Sequence, residues 1–189
     1  MSNYYFIGFC IILLTSSCAS KKTFDQEVED ERIESISFPE DWTGRWQGDL
    51  KIYSGLGLQG GLKMELIIEP IINSDNYTFT IVYDNSIELS KRNYELIVVD
   101  QEQGLYLIDE KNTILIESYF MGGKWFQRFE VAGNLLTCTI EMQNKNLIWE
   151  ITSGDSEKIS TTGDTTKEGI LEVTTYPLGI YQRAVLSRF

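Results

Sequence analysis

From Trp42 to the end of the chain, apolar and polar residues alternate in short runs, a pattern typical of half-buried β-strands. In the first run, Trp46, Leu50 and Ile52 share one face, while most residues between them are charged or polar. The same alternation predicts strands over residues 44–52, 62–69, 77–83, 94–99, 105–109, 114–121, 125–131, 135–142, 147–152, 171–176 and 180–186. The mature chain is therefore predicted to be an all-β domain of about ten strands.

The connections between these strands are short and rich in turn-forming residues such as Asp84-Asn85, Gly122-Gly123 and Gly133-Asn134. Short connections favour an antiparallel up-and-down barrel over a Greek-key sandwich, which needs longer crossovers. The charged outward face of the first strand excludes a membrane-spanning barrel, whose outer face is apolar. The long polar stretch 153–169 is predicted to be a loop near one barrel end.

The amino-terminal segment carries an export pattern. The apolar run Tyr4–Leu14 has the length of a signal-peptide core, and the small residues Thr15–Ser17 lead to Cys18. This arrangement resembles the bacterial lipobox, which implies cleavage before Cys18 and attachment of lipid to it. An uncleaved signal anchor is the alternative. We therefore expect a signal peptide at 1–17, a lipidated cysteine with a flexible acidic tether at 18–40, and the barrel at 41–189. The expected location is the cell envelope, on the outer membrane. The sequence does not indicate which leaflet carries the anchor.

The amino-acid composition excludes several classes of catalytic and metal-binding site. The chain has no histidine, which excludes Ser-His-Asp and Cys-His hydrolases and removes the usual zinc and haem ligands. Neither a metal-ligand spacing nor a phosphate-binding glycine loop is present, so we expect neither a cofactor nor an enzyme. The net charge of −12 argues against nucleic acid as a partner. Cleavage would leave Cys138 as the one cysteine of the domain, and its alternation with Leu136 and Ile140 predicts a buried thiol.

Several stretches resemble lipocalin-like proteins. Trp42-Thr-Gly-Arg-Trp46 is similar to the Gly-x-Trp signature that opens the first strand of that superfamily. The runs RNYELIVVD, YLIDEKNTILIESYFMGGKWFQRFEV and YPLGIYQRAVLSR resemble a group of bacterial lipocalin-like (calycin-type) lipoproteins without an assigned activity. The resemblance implies a lipocalin-like barrel in which an arginine near the chain's end packs across Trp46. Either Arg183 or Arg188 matches that position.

Two sets of residues are candidates for ligand binding. The apolar wall of a cavity would include Trp46, Phe79, Tyr83 and Trp125. Tyr181 and Arg183 lie two apart on a strand and so share a face, where a hydroxyl and a guanidinium can hold a carboxylate. The alternatives are that Arg183 is the barrel-closing arginine stacked on Trp46, or that the pair simply points outward. Trp125, Gln127 and Phe129 share a face that is either a cavity wall with one polar anchor or ordinary core.

The functional expectation is a membrane-anchored lipoprotein whose barrel binds a small hydrophobic or amphipathic ligand. The alternative is a structural or assembly protein of the cell envelope, with a solid-packed barrel and a protein partner. The volume of the barrel interior discriminates between the two roles, because ligand pockets usually enclose about 300 Å³ or more.

Overall fold

The computed structural model of the protein describes residues 37–84, 90–157, 159–164 and 166–189. Ten strands in these ranges form one closed antiparallel barrel. They are β1 (Gly44–Ser54), β2 (Gly57–Pro70), β3 (Tyr77–Tyr83), β4 (Lys91–Asp100), β5 (Leu105–Asp109), β6 (Leu115–Met121), β7 (Lys124–Val131), β8 (Asn134–Gln143), β9 (Asn146–Asp155) and β12 (Ile180–Arg188).

Each strand from β1 to β9 pairs with the next one along the chain, and β12 closes the barrel by pairing with both β9 and β1. The prediction of an all-β, up-and-down barrel of about ten strands is confirmed. The predicted face of β1 is also correct, since Trp46 and Leu50 are buried and Asp49 and Lys51 are exposed.

The segment between β9 and β12 differs from the prediction. The apolar alternation at 171–176 does form a strand, β11 (Val173–Thr175), but it pairs with β10 (Ser160–Thr162) in a separate two-stranded sheet. The predicted loop starts later than expected, because β9 continues to Asp155 along β8. Gly154 permits that extension: a Cβ there would lie 1.8 Å from the carbonyl oxygen of Pro177.

One end of the barrel is filled by aromatic side chains. A 3₁₀ helix (Glu40–Trp42) precedes β1, and Phe38 just before it inserts among the rings of Trp42, Tyr106, Phe120 and Trp125 at centroid distances of 4.7–5.0 Å. Most of these contacts are edge-to-face, an arrangement that stabilises aromatic pairs beyond their buried area. We call this cluster the aromatic plug.

The terminal strand is fastened to the first strand beside the plug. Arg188 lies opposite Trp46 in the register, and its guanidinium carbon is 4.5 Å from the centre of the indole. Its Nη2 donates to the carbonyl of Asp41 at 2.9 Å, and the Trp46 Nε1–H donates to the carbonyl of Trp42 at 2.8 Å. Arg188, rather than Arg183, is therefore the arginine that covers Trp46.

Gly48 lets the two strands approach closely at this seam. A Cβ at Gly48 would lie 2.1 Å from the carbonyl oxygen of Val185, a backbone atom that cannot move aside cheaply. The closure of the barrel thus depends on a glycine in β1 as well as on the Trp46–Arg188 stack.

We predict that Trp46→Ala lowers the free energy of unfolding by about 3–5 kcal/mol, since it empties a fully buried site. Arg188→Ala should lower it by about 1–3 kcal/mol through loss of the stacking and the hydrogen bond. Urea denaturation followed by tryptophan fluorescence measures both. Arg183→Ala is the matched control, because its ion pair with Glu150 lies on the outer face of the barrel and should contribute no more than about 1 kcal/mol. Equal effects of the two arginine substitutions would contradict this account of the seam.

Candidate functional site

The barrel interior is not filled throughout. Beyond the aromatic plug, toward the opposite end, the strands enclose a cavity of about 150 Å³. The alternation of β3, β4, β8 and β9 directs its main lining residues inward, and these are Phe79, Ile81, Tyr83, Tyr94, Leu136, Cys138, Trp149 and Ile151. The wall is therefore mostly apolar and aromatic, as is usual for sites that hold small molecules.

One polar side chain of the wall is held in place by a short hydrogen-bond chain. Gln127 on β7 is 8% exposed, and its Nε2 donates to the hydroxyl of Ser118 at 3.0 Å. The Ser118 hydroxyl in turn donates to the carbonyl of Ile116 at 3.3 Å. Of the two alternatives for the face of Trp125, Gln127 and Phe129, the structure places Gln127 and Phe129 at the cavity and Trp125 in the plug.

Trp149 lines the cavity and has an unpaired buried donor. Its side chain is 3% exposed, and its indole Nε1–H has no hydrogen-bond partner within the described part of the chain. The indoles of Trp42 and Trp125 share this property, but Trp149 is the one that lines the cavity. A buried donor without a partner lowers stability by about 1–3 kcal/mol. An acceptor atom on a bound molecule would remove that penalty.

Two tyrosines and a carboxylate stand at the outer part of the cavity. Burial raises the pKa of Tyr83 to about 12, and burial together with the nearby charge of Glu110 raises the pKa of Tyr94. Both phenols therefore stay protonated at neutral pH. The Tyr94 hydroxyl is hydrogen-bonded to Glu110, which also accepts from the Asn112 side chain at 3.2 Å.

The residues predicted as a binding site fall into four places, the fourth being the outer face of β12. Phe79 and Tyr83 line the cavity. Trp125 lies in the plug, with its ring 5.1 Å from that of Phe79, and Trp46 lies beneath Arg188 at the closed end. The structure thus brings the rings of Phe79 and Trp125 together but leaves Trp46 away from the cavity.

Tyr181 and Arg183 lie on the outer face of β12, because Ala184 and Leu186 occupy the inward positions of that strand. The Tyr181 hydroxyl donates to the carboxylate of Glu150, and Arg183 Nε lies 3.5 Å from the same group. The pair does hold a carboxylate, but one from the neighbouring strand of the protein itself.

Sequence reasoning missed Trp149, Tyr94 and Glu110 as site residues. Trp149 shares a face with Leu147 and Ile151, so its inward position was available from the alternation. The sequence does not show whether an inward-facing ring lies in the plug or beside the cavity, because both are lined by the same residue types. Cys18, the predicted lipid attachment site, lies outside the described residues.

No group of His, Cys, Asp and Glu side chains among the described residues is arranged to hold a metal ion. In the described part of the chain, no helix has the length and apolar character needed to cross a bilayer.

We predict that Cys138 does not react with iodoacetamide in the folded protein at pH 8. Burial raises the pKa of its thiol to about 12, and the thiolate is the reactive form. The measurement is mass spectrometry of a Cys10→Ala, Cys18→Ala variant before and after unfolding in urea. Adding Val185→Cys, at an exposed position on the same barrel, should introduce one thiol that reacts quickly. Alkylation of Cys138 at a comparable rate would show that the cavity side of β8 is open to solvent.

No protein-family model matches this chain, and no curated protein matches its sequence.

Proposed function

We propose that the chain is a lipid-anchored, lipocalin-like binding module that holds a small apolar or amphipathic molecule in the open half of its barrel. The observation that carries this proposal is the cavity bounded by Phe79, Tyr83 and Trp149, with the unpaired indole donor of Trp149 in its wall. An apolar wall with a few placed polar groups is the usual composition of a ligand site.

The size of the cavity limits what it can enclose. About 150 Å³ is half of the lower bound for ordinary ligand pockets, but an apolar cavity of that volume can hold a molecule the size of benzene. The ligand is therefore either very small or an amphiphile of which only a short apolar end enters the barrel.

The lipocalin-like assignment is supported by the closed end of the barrel. Gly44 and Trp46 stand in the Gly-x-Trp spacing, and Arg188 from the terminal strand covers the indole. Gly44 adopts a φ of 128°, which residues with a side chain rarely adopt. The signature thus has a physical reason in this chain, because the backbone turns into β1 at that glycine.

A non-enzymatic role is part of the proposal. The chain has no histidine, and Glu110 is the carboxylate that lines the cavity in the described ranges. Glu117, which lies on an apolar stretch of sequence, is exposed on the outer face and accepts a hydrogen bond from Tyr119 at 2.8 Å. Acid–base chemistry by two carboxylates in the cavity is not supported by this arrangement.

A structural or assembly role is the second candidate. It is favoured by the filled half of the barrel and by large apolar side chains exposed near the open end, such as Leu56 (92% exposed) and Leu178 (74%). A protein partner could cover these residues. The two candidates differ in whether the cavity takes up a small molecule.

We predict that the purified protein binds toluene saturably and that Leu136→Trp removes this binding, because the larger side chain fills the cavity. Leu135→Trp, one residue away on the outer face of β8, is the matched control and should bind as the wild type does. Ligand-observed NMR measures the binding, and native mass spectrometry of protein taken from its own membrane tests for a retained molecule. The binding role would be contradicted, and the assembly role favoured, if native mass spectrometry shows only the mass of the protein without a ligand and toluene binding does not saturate.

The proposed lipid anchor depends on Cys18, which precedes the barrel in the sequence. We predict that Cys18→Ala abolishes incorporation of radiolabelled palmitate and leaves the uncleaved precursor. Cys10→Ala should be labelled normally, since that cysteine lies within the predicted signal peptide. Absence of label in the wild-type protein would overturn the lipoprotein assignment without affecting the barrel.

A further inference from the structure

The barrel wall is split between β6 and β7. Their pairing covers four residue pairs, from Ser118↔Gln127 to Met121↔Lys124. Beyond Ser118 and Gln127 the two strands part, although β6 stays paired with β5 as far as Leu115 and β7 stays paired with β8 as far as Val131. The split therefore opens toward the end of the barrel that holds the cavity.

A groove of about 580 Å³ occupies the split. Its apolar lining includes Leu115, Ile116, Phe129 and Val131, and Leu115 and Val131 are each more than half exposed. Exposed apolar side chains beside unpaired strand edges are unfavourable in water, so a bound molecule that covers them would stabilise this part of the wall.

The groove and the cavity adjoin each other, since Glu110, Ile116 and Phe129 line both of them. An amphiphile with its apolar end in the cavity would pass between Ile116 and Phe129 and place its other end in the groove. Such a pose would fit a cavity too small to enclose a complete amphiphile.

The charges around the groove favour a positive headgroup. Its lining contains the carboxylates of Glu110, Glu117 and Glu130 and one guanidinium, that of Arg128. Glu110 stands where the cavity meets the groove, and the net charge of the whole chain has the same sign. Opposite charges at such a rim attract each other by a modest amount, which sets a preference rather than an absolute requirement.

Among the described residues, Arg92 is a further cation near the cavity. Arg92 on β4 is close enough to Tyr83 and Tyr94 to act on their ionisation, but it is exposed and has an interaction of its own. It does not line the groove. The part of the groove beside Glu110 is therefore lined by more carboxylates than cationic groups.

We propose that the ligand is a cationic amphiphile that lies across the β6–β7 split, with its apolar end in the cavity and its ammonium group in the groove beside Glu110. This inference rests on the proposed binding function and names the chemical class of its ligand.

Three probes with the same tail and different headgroups test the charge preference: n-hexylamine, hexanol and hexanoate. Isothermal titration of the full-length protein in detergent, with a detergent blank, gives each dissociation constant at pH 7. We expect hexylamine to bind about threefold to tenfold more tightly than hexanol, and hexanoate to bind most weakly.

Glu110→Gln should remove the advantage of hexylamine and leave the affinity for hexanol unchanged. Glu102→Gln is the matched control: it removes the same charge from an exposed position in the loop between β4 and β5, at the plugged end, and should leave all three affinities as they are. Arg128→Gln should strengthen hexylamine binding. Thermal melting confirms that each variant is folded.

Hydrogen exchange locates the ligand. In the free protein, those amides of 115–117 and 128–131 that point into the split should exchange faster than the amides that join β6 to β7 within 118–121, and hexylamine should slow them. Three outcomes would overturn the inference while the binding function stands. The first is equal affinities for the three probes, and the second is tightest binding of hexanoate that is lost in Arg128→Gln. The third is that hexylamine does not slow the exchange of the amides in the split. Failure of all three probes, together with failure of toluene, would overturn the binding function itself.

Discussion

The contact on which the rest of the structure depends is the pairing of β12 with β1, held by Arg188 over Trp46 and by the close backbone approach at Gly48. A meander of nine strands leaves two exposed edges, and such edges invite association with other chains. Joining the ends of the sheet removes both edges and creates an interior. The plug, the cavity and the polar network of Gln127 and Ser118 exist only because that seam is closed.

The interior is divided into a densely packed half and a half that holds a cavity. Phe38 and the rings around it fill the closed half with aromatic contacts. The other half combines an empty volume with the partial pairing of β6 with β7. Unpaired buried indoles occur in both halves, at Trp42 and Trp125 in the plug and at Trp149 beside the cavity.

The sequence predicts the strands well because the alternation of apolar and polar residues is a local signal, and β1 shows it clearly. It does not separate Arg183 from Arg188, because the choice depends on the register between two strands far apart in sequence. The outward direction of Tyr181 and Arg183 was readable from Ala184 and Leu186 on the opposite parity. The β6–β7 split was not, since alternation describes which face a residue occupies and carries no information about where two strands part.

Both ends of the described chain meet at the plugged pole. Ser37 precedes the plug, and the amide of Phe189 donates to the carbonyl of Arg45 at 3.1 Å. Tension applied through the amino-terminal side would therefore act first on Phe38 and Trp42, where dense ring packing resists displacement. The cavity and the split lie at the other pole, away from the residues on which that tension acts first.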